Sequence, residues 1–196
     1  MGKVILEAAM SLDGFVADDH DDPGPIFDWY ENGDVPVTLA DEQRVFHTSP
    51  ASAAYLREAA GRTAACVIGR RLFDLVGGWD GRPPAGEAVF VVTHRPPADW
   101  AHPEAPFTFV GGVAEAVERA RAFAGDRDVS VSAGLVGGQA LELGLVDEVH
   151  VNLTPVFIGR GRRFVGDLGA GAWLLGNPEI IPGDRVTHLI FPVLPG

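Results

Sequence analysis

The stretch Val129-Ser-Val-Ser-Ala-Gly134-Leu-Val-Gly-Gly138-Gln-Ala-Leu-Glu-Leu-Gly144 constrains this chain more than any other. Valine alternates with serine at its start, which predicts a short strand. The strand breaks at Ala133-Gly134, and a short apolar helix follows, ending at Gly144. A strand that runs through glycine into a helix leaves the first helical N–H groups unpaired at its carboxyl end. Those groups and the helix dipole favour an anion there. Gly137 and Gly138 each cost about 1 kcal/mol of helix propensity relative to Ala, so something must approach this backbone closely. Two explanations stand side by side: a dinucleotide pyrophosphate lying on Gly134, Leu135, Val136, Gly137 and Gly138, or a helix packed tightly on its sheet.

With 196 residues, 46% of them hydrophobic, the chain suits one folded domain over residues 1–196. Fifteen Lys and Arg against 27 Asp and Glu give a net charge of −12. That balance argues against nucleic-acid and membrane partners, while a few local arginines still suffice for a small anion. The single cysteine, Cys66, sits in an apolar run. It reads as a small buried hydrophobe in a reducing, cytoplasmic setting. Glu7 interrupts the first apolar run, so no signal peptide or membrane span is expected. The acidic cluster Asp18-Asp-His-Asp-Asp22 lacks metal-ligand spacing and reads as a solvated loop, with no metal site.

Taken in order, residues 4–10 predict a central strand, running into a turn at Asp13-Gly14 before Phe15 and Val16. Asp13 is either a turn former or a polar group at the end of a central strand. Phe27-Asp-Trp-Tyr30 suggests an aromatic flap on a pocket mouth or a subunit interface. Ser49-Pro50 caps a helix that Gly61 should stop. Residues 64–68 predict a second buried strand, opening through Gly69-Arg70-Arg71 into a short helix. Residues 88–92 form a third, ending at Thr93-His94-Arg95. Residues 107–110 are a fourth, followed by an amphipathic helix at Val113–Ala124. Residues 149–156 form a strand in which His150, Asn152 and Thr154 alternate with Val151 and Leu153. Two antiparallel strands are expected near the C-terminus, so the class is α/β.

Three strands thus end in groups suited to phosphate: Gly69-Arg70-Arg71, Thr93-His94-Arg95, and residues 134–138. Arginine offers a planar fork of donors to phosphate. If the three strands are neighbours, their ends form one ledge, charged as a dinucleotide with an extra 2′-phosphate requires. No G-x-G-x-x-G follows the first strand, so the usual dinucleotide fingerprint is absent.

Ala8-Ala-Met-Ser-Leu-Asp-Gly-Phe-Val-Ala17, Val67-Ile-Gly-Arg-Arg-Leu-Phe73, Val92-Thr-His-Arg95, Gly144-Leu-Val-Asp-Glu148 and Pro155-Val-Phe-Ile-Gly159 together resemble the dihydrofolate reductase-like superfamily. The closer similarity is to its branch containing the C-terminal reductase domain of bacterial riboflavin biosynthesis proteins. The resemblance implies a mixed, mainly parallel sheet flanked by helices, with antiparallel C-terminal strands and NADPH across the strand ends. By position it implies Arg70, Arg71, Thr93, His94 and Arg95 at the 2′-phosphate and residues 134–138 at the pyrophosphate. It further implies Gly69 on this ledge, and Ala9, Gly14 and Val16 beside the nicotinamide. Met10, Asp13 and Trp29 would meet a small heterocyclic substrate, with Asp13 the side-chain proton donor. The activity implied is hydride transfer to a pteridine- or pyrimidine-like ring. A dinucleotide-binding protein without catalysis is the alternative, and a homodimer is expected. One departure is specific: the acidic residue that dihydrofolate reductases carry on the helix after the first strand has no clear match in residues 49–60.

Overall fold

In the computed structural model, which describes residues 2–194 apart from 42, 167, 170 and 171, the apolar runs assemble into one eight-stranded sheet. In chain order the strands are β1 (Val4–Ser11), β2 (Phe15–Ala17), β3 (Val35–Thr38), β4 (Val45–Thr48), β5 (Thr63–Gly69) and β6 (Ala88–Val92). They continue as β7 (Phe107–Val110), β8 (Asp128–Ser132), β9 (Glu148–Thr154), β10 (Arg162–Arg163), β11 (Glu179–Pro182) and β12 (Thr187–Pro192). The helices are α1 (Pro50–Arg62), α2 (Arg70–Leu75), α3 (Val113–Ala124) and α4 (Leu135–Glu142).

The strand order is β11-β12-β9-β1-β8-β5-β6-β7. Every neighbouring pair from β9 to β7 is parallel, whereas β12 on β9 and β11 on β12 are antiparallel. This is the mixed, mainly parallel sheet with antiparallel C-terminal strands expected from the sequence. Short hairpins β3–β4 and β10–β2 lie outside the main sheet. Among the described residues, no helix is long and apolar enough to cross a membrane.

Ser49 caps α1 as its position predicts: its side chain accepts the Ser52 N–H at 3.3 Å. Gly61 does not stop the helix. It remains helical, and α1 ends one residue later where Thr63 turns extended and joins β5. A helix that passes directly into a strand has no left-handed closing turn for a glycine to occupy.

Side chains alternate across a strand, so the sheet has two unlike faces. One face carries Val4, Leu6, Val67, Val129, Val131, Val149 and Val151, packed against Ala116, Val117 and Ala120 of α3 and Val136, Ala140 and Leu141 of α4. Leu6 is fully buried there, and trimming such a leucine to Ala costs about 2–5 kcal/mol. The other face is covered by two separate clusters. Trp29, Val37, Ala53, Tyr55, Leu56 and Val186 pack together around α1, and Cys66, Ile68, Phe73, Val89 and Val91 pack over β5 and β6. Between the clusters, on the middle strands, this face is polar. Glu7 pairs with Ser132 and His150, and Ala9 with Asn152.

Candidate active site

A cavity of about 1140 Å³ opens between the two clusters. Its floor includes Glu7, Ala9, Ser130, Ser132 and Asn152. Phe27, Tyr30, Phe46 and Tyr55 wall one side; Cys66, Ile68, Leu72 and Trp79 wall the other. Toward the carboxyl ends of the strands it reaches Gly69, Arg71, Gly134, Leu135 and Val136, with Asp21, Arg162 and Arg163 at the rim. Ligands of open α/β sheets bind outside the carboxyl ends of strands, and this cavity meets that rule.

The ledge expected from the sequence forms, because β8, β5 and β6 are consecutive in the sheet. Gly134 makes the sharp turn from β8 into α4 with φ +88° and ψ −146°, a conformation closed to side chains other than glycine. Its N–H donates to the Phe164 carbonyl at 2.7 Å, and the first full helical bond runs from Gly138 N–H to Gly134 O. The N–H groups of Leu135, Val136 and Gly137 therefore precede any intrahelical acceptor. Gly69 lies close behind: a Cβ placed on it would sit 3.2 Å from Val136 Cγ2. β5 thus packs closely against α4, and a side chain at 69 would need Val136 to give by a few tenths of an ångström.

Gly137 and Gly138 answer to packing instead. A Cβ on Gly137 would fall 2.4 Å from Leu6 Cδ1 and 2.8 Å from the Ser132 carbonyl; one on Gly138 would fall 2.8 Å from the Val165 carbonyl. Neither lines the cavity. The tight helix-on-sheet explanation holds for these two.

The side chains of Arg70 and Arg71 are engaged with protein groups. Arg70 Nε donates to Asp74 at 2.8 Å, and its Nη1 reaches the Arg95 carbonyl, joining the ends of β5 and β6. Thr93 Oγ1 accepts the Arg95 N–H at 3.1 Å, shaping the turn that carries His94. Arg70, Thr93, His94 and Arg95 lie on the ledge beyond the cavity wall. Arg71 lines the cavity and grips Asp21 with two nitrogens, Nε at 2.8 Å. Arg162 Nε reaches the same carboxylate at 2.8 Å. The two arginines hold the Asp21 carboxyl down to about 2. Asp21 has φ +68°, and its acidic turn is expected from sequence to be solvated. It is instead tied to the cavity rim.

Three residues expected at the substrate, Trp29, Met10 and Asp13, do not line the cavity. Trp29 is 1% exposed, stacked behind Tyr30 at 4.1 Å and edge-on to His188 at 5.2 Å; Tyr30 faces the cavity in its place. Met10 points to the helix-covered face and packs on the main core. Asp13 does not line the cavity. Its carboxylate accepts the Ser11 hydroxyl at 2.6 Å and the N–H groups of Ile158 and Gly159 at 3.1 and 2.6 Å. These donors hold the Asp13 carboxyl below its ordinary range, Ser11 first, the opposite of what a proton donor needs. Gly14, at φ +87°, accepts the Phe164 N–H through its carbonyl and stays behind the wall, while Ala9 and Val16 line it.

The polar floor has its own order. Ser130 Oγ donates to Glu7 at 2.5 Å. Behind the floor, His188 Nδ1 lies 2.7 Å from Asn152 Oδ1, and its Nε2 lies 2.9 Å from Ser52 Oγ. Asn152 Oδ1 only accepts, so the ring proton is on Nδ1. Burial pushes His188 down to about 4, so the ring is neutral and its Nε2 accepts the Ser52 hydroxyl. Burial, followed by the Glu7 charge, raises the Tyr55 and Tyr30 hydroxyls well above the usual tyrosine range and lifts the Cys66 thiol to about 12. Sequence patterning carries a trace of this floor: Glu7, Ser130, Ser132 and Asn152 are polar residues at inward-facing positions of otherwise apolar central strands.

The fold is dihydrofolate reductase-like, and comparison with solved structures bears this out. The chain aligns with a Shewanella sp. PV-4 protein assigned to riboflavin biosynthesis at TM-score 0.69 and 20% identity, covering 98% of this chain and 99% of that one. It aligns with dihydrofolate reductase from Enterococcus faecalis, solved with NADP(H), at 0.59 and 13%, covering 99% and 98%. Acinetobacter baumannii RibD gives 0.58 and 15%, covering 99% of this chain and 58% of that one. More narrowly, the chain belongs to the RibD C-terminal domain family, which it matches over residues 2–178. No curated protein matches it.

Proposed function

We propose that this protein is an NADPH-dependent reductase of a small pteridine- or pyrimidine-like heterocycle. The observation that carries the reading is the continuity of one cavity from the glycine-turned start of α4 to a polar floor on the central strands. The family match and the fold shared with an NADP(H)-bound dihydrofolate reductase support it. The residues present fit the cofactor: nothing lies within 4 Å of a Cβ on Gly134, leaving the strand-to-helix turn open to a close ligand. The N–H groups of Leu135 and Val136 suit a pyrophosphate, and Arg71, with Arg70, Thr93, His94 and Arg95 on the outer ledge, suits a 2′-phosphate. Bound NADPH would supply the hydride. The protein holds the ring against Ala9 and Val16, and the Phe27, Tyr30, Phe46 and Tyr55 side excludes water. Asp13 takes no part in this reading; a water reaching the polar floor is the proton source. A homodimer in a cytoplasmic setting belongs to the same reading, supported by exposed Leu174 and Ile180 near the sheet edge and by the buried Cys66 thiol.

Calorimetric titration of NADPH beside NADH tests it. Wild type should favour NADPH by about tenfold or more, roughly 1.4 kcal/mol. Arg71→Ala, and Arg70→Ala with Arg95→Ala, should erode that preference. Binding of neither nucleotide overturns the assignment, and tight NADPH binding without oxidation by any heterocycle favours a non-catalytic binding protein.

A further inference from the structure

Three carboxylates line the cavity: Asp21, Asp41 and Glu7. Asp21 is held by Arg71 and Arg162, and Asp41 by Arg44 and Arg82. Among the described residues, Glu7 has no cationic partner, and its one hydrogen bond comes from the Ser130 hydroxyl. It stands on the central strand between two apolar clusters, on a floor otherwise of alanine, serine and asparagine. A carboxylate so placed is costly unless donors meet it, and one oxygen with part of the other remains for a ligand.

Asn152 supplies the complementary half. The chain of hydrogen bonds from Ser52 through His188 ends on its Oδ1, which turns that oxygen toward His188 and orients the amide. The amide NH₂ is therefore the group that Asn152 presents to the cavity it lines. Asn152 is opposite Ala9 in the β1–β9 register, one side-chain pair along from Glu7. Both residues lie on the cavity-facing side of adjacent parallel strands, so neighbouring groups on one edge of a ring placed over this floor can meet both.

We propose that Glu7 and Asn152 set the substrate specificity of this cavity: Glu7 accepts from a ring N–H, and Asn152 donates to the neighbouring ring C=O. The substrate class is then a heterocycle with an unsubstituted cyclic amide edge. This rests on the reductase reading above and narrows it. It also places the cavity's acidic group on β1 rather than on the helix after it, where residues 49–60 offer no equivalent.

The test uses pterin, whose N3–H and C4=O form such an edge, and N3-methylpterin, in which the edge is blocked. Binding of each is measured by pterin fluorescence with and without NADPH, on wild type, Glu7→Gln and Ser130→Ala. Wild type should prefer pterin by about tenfold or more, as a hydrogen bond to a charged group allows. Glu7→Gln should collapse that preference, and Ser130→Ala, which keeps the carboxylate but removes its orienting donor, should reduce it partially. Because the readout is a ratio of two ligands on one variant, partial loss of folded protein does not alter it. Equal binding of the two pterins by wild type, binding of neither, or retained preference in Glu7→Gln overturns the assignment. Pterin preference without NADPH binding overturns the reductase reading and leaves the Glu7 assignment standing. NADPH binding without pterin preference does the reverse.

Discussion

At the scale of single residues, the glycines of the α4 region separate into two kinds that the sequence presents as one. Gly134 is required by its backbone, at φ +88° with open space around it; Gly137 is required by its neighbours, with Leu6 and the Ser132 carbonyl in the place of a Cβ. Gly134→Ala should therefore cost about 1–3 kcal/mol through backbone strain and weaken NADPH binding. Gly137→Ala should cost a similar amount through overpacking, about 1–3 kcal/mol, and be partly rescued by shortening Leu6 to Val. Urea unfolding of the single and double variants checks both; rescue of Gly134→Ala by the Leu6 change would contradict the distinction. The sequence marks all of these positions as glycine in a helix start, but it cannot tell a torsional need from a steric one. That difference lives in residues such as Leu6, far away in the chain. Asp13 shows the same limit. Its place at a strand end is legible, whereas the N–H groups of Ile158 and Gly159 that occupy its carboxylate arrive from about 145 residues away.

Among the elements, strands β1, β5, β6, β7, β8 and β9 are legible because apolar runs bounded by glycine and turn residues leave few alternatives. The link between the acidic turn at residues 18–22 and the starts of α2 and β10 is not, since it depends on Arg71 and Arg162 converging on one carboxylate. Asp21→Asn should loosen that turn, raising amide exchange at residues 18–23 at least severalfold while β1 exchange stays unchanged. The sign of the pH effect follows from a lowered carboxyl. The pairing is fully present above about 4 and is lost only as pH falls through about 2. An exchange rate in this turn that rises between pH 7 and 5 would show that Asp21 is not its anchor.

For the whole molecule, the two unlike faces of the sheet set both stability and reactivity. His188 is fully buried in the polar half with its ring neutral. Its ordinary value of 6.5 falls to about 4 on folding, so the unfolded chain takes up a proton first as pH drops. Stability should decline from pH 6.5 to 4, by roughly 3 kcal/mol for this group, and level off below. His188→Gln should lack that part of the decline in urea unfolding at pH 7 and pH 4. The sheet order has a further consequence, in time rather than in space. Strand β1 lies between β8 and β9, so its backbone partners are about 125 residues downstream. At roughly 5–20 residues per second of synthesis, on the order of ten seconds pass before β8 emerges. Throughout that interval the future centre of the sheet has two open edges and an apolar face. The strand that holds the floor of the cavity is made well before either of its partners, and it must wait for both to find its place.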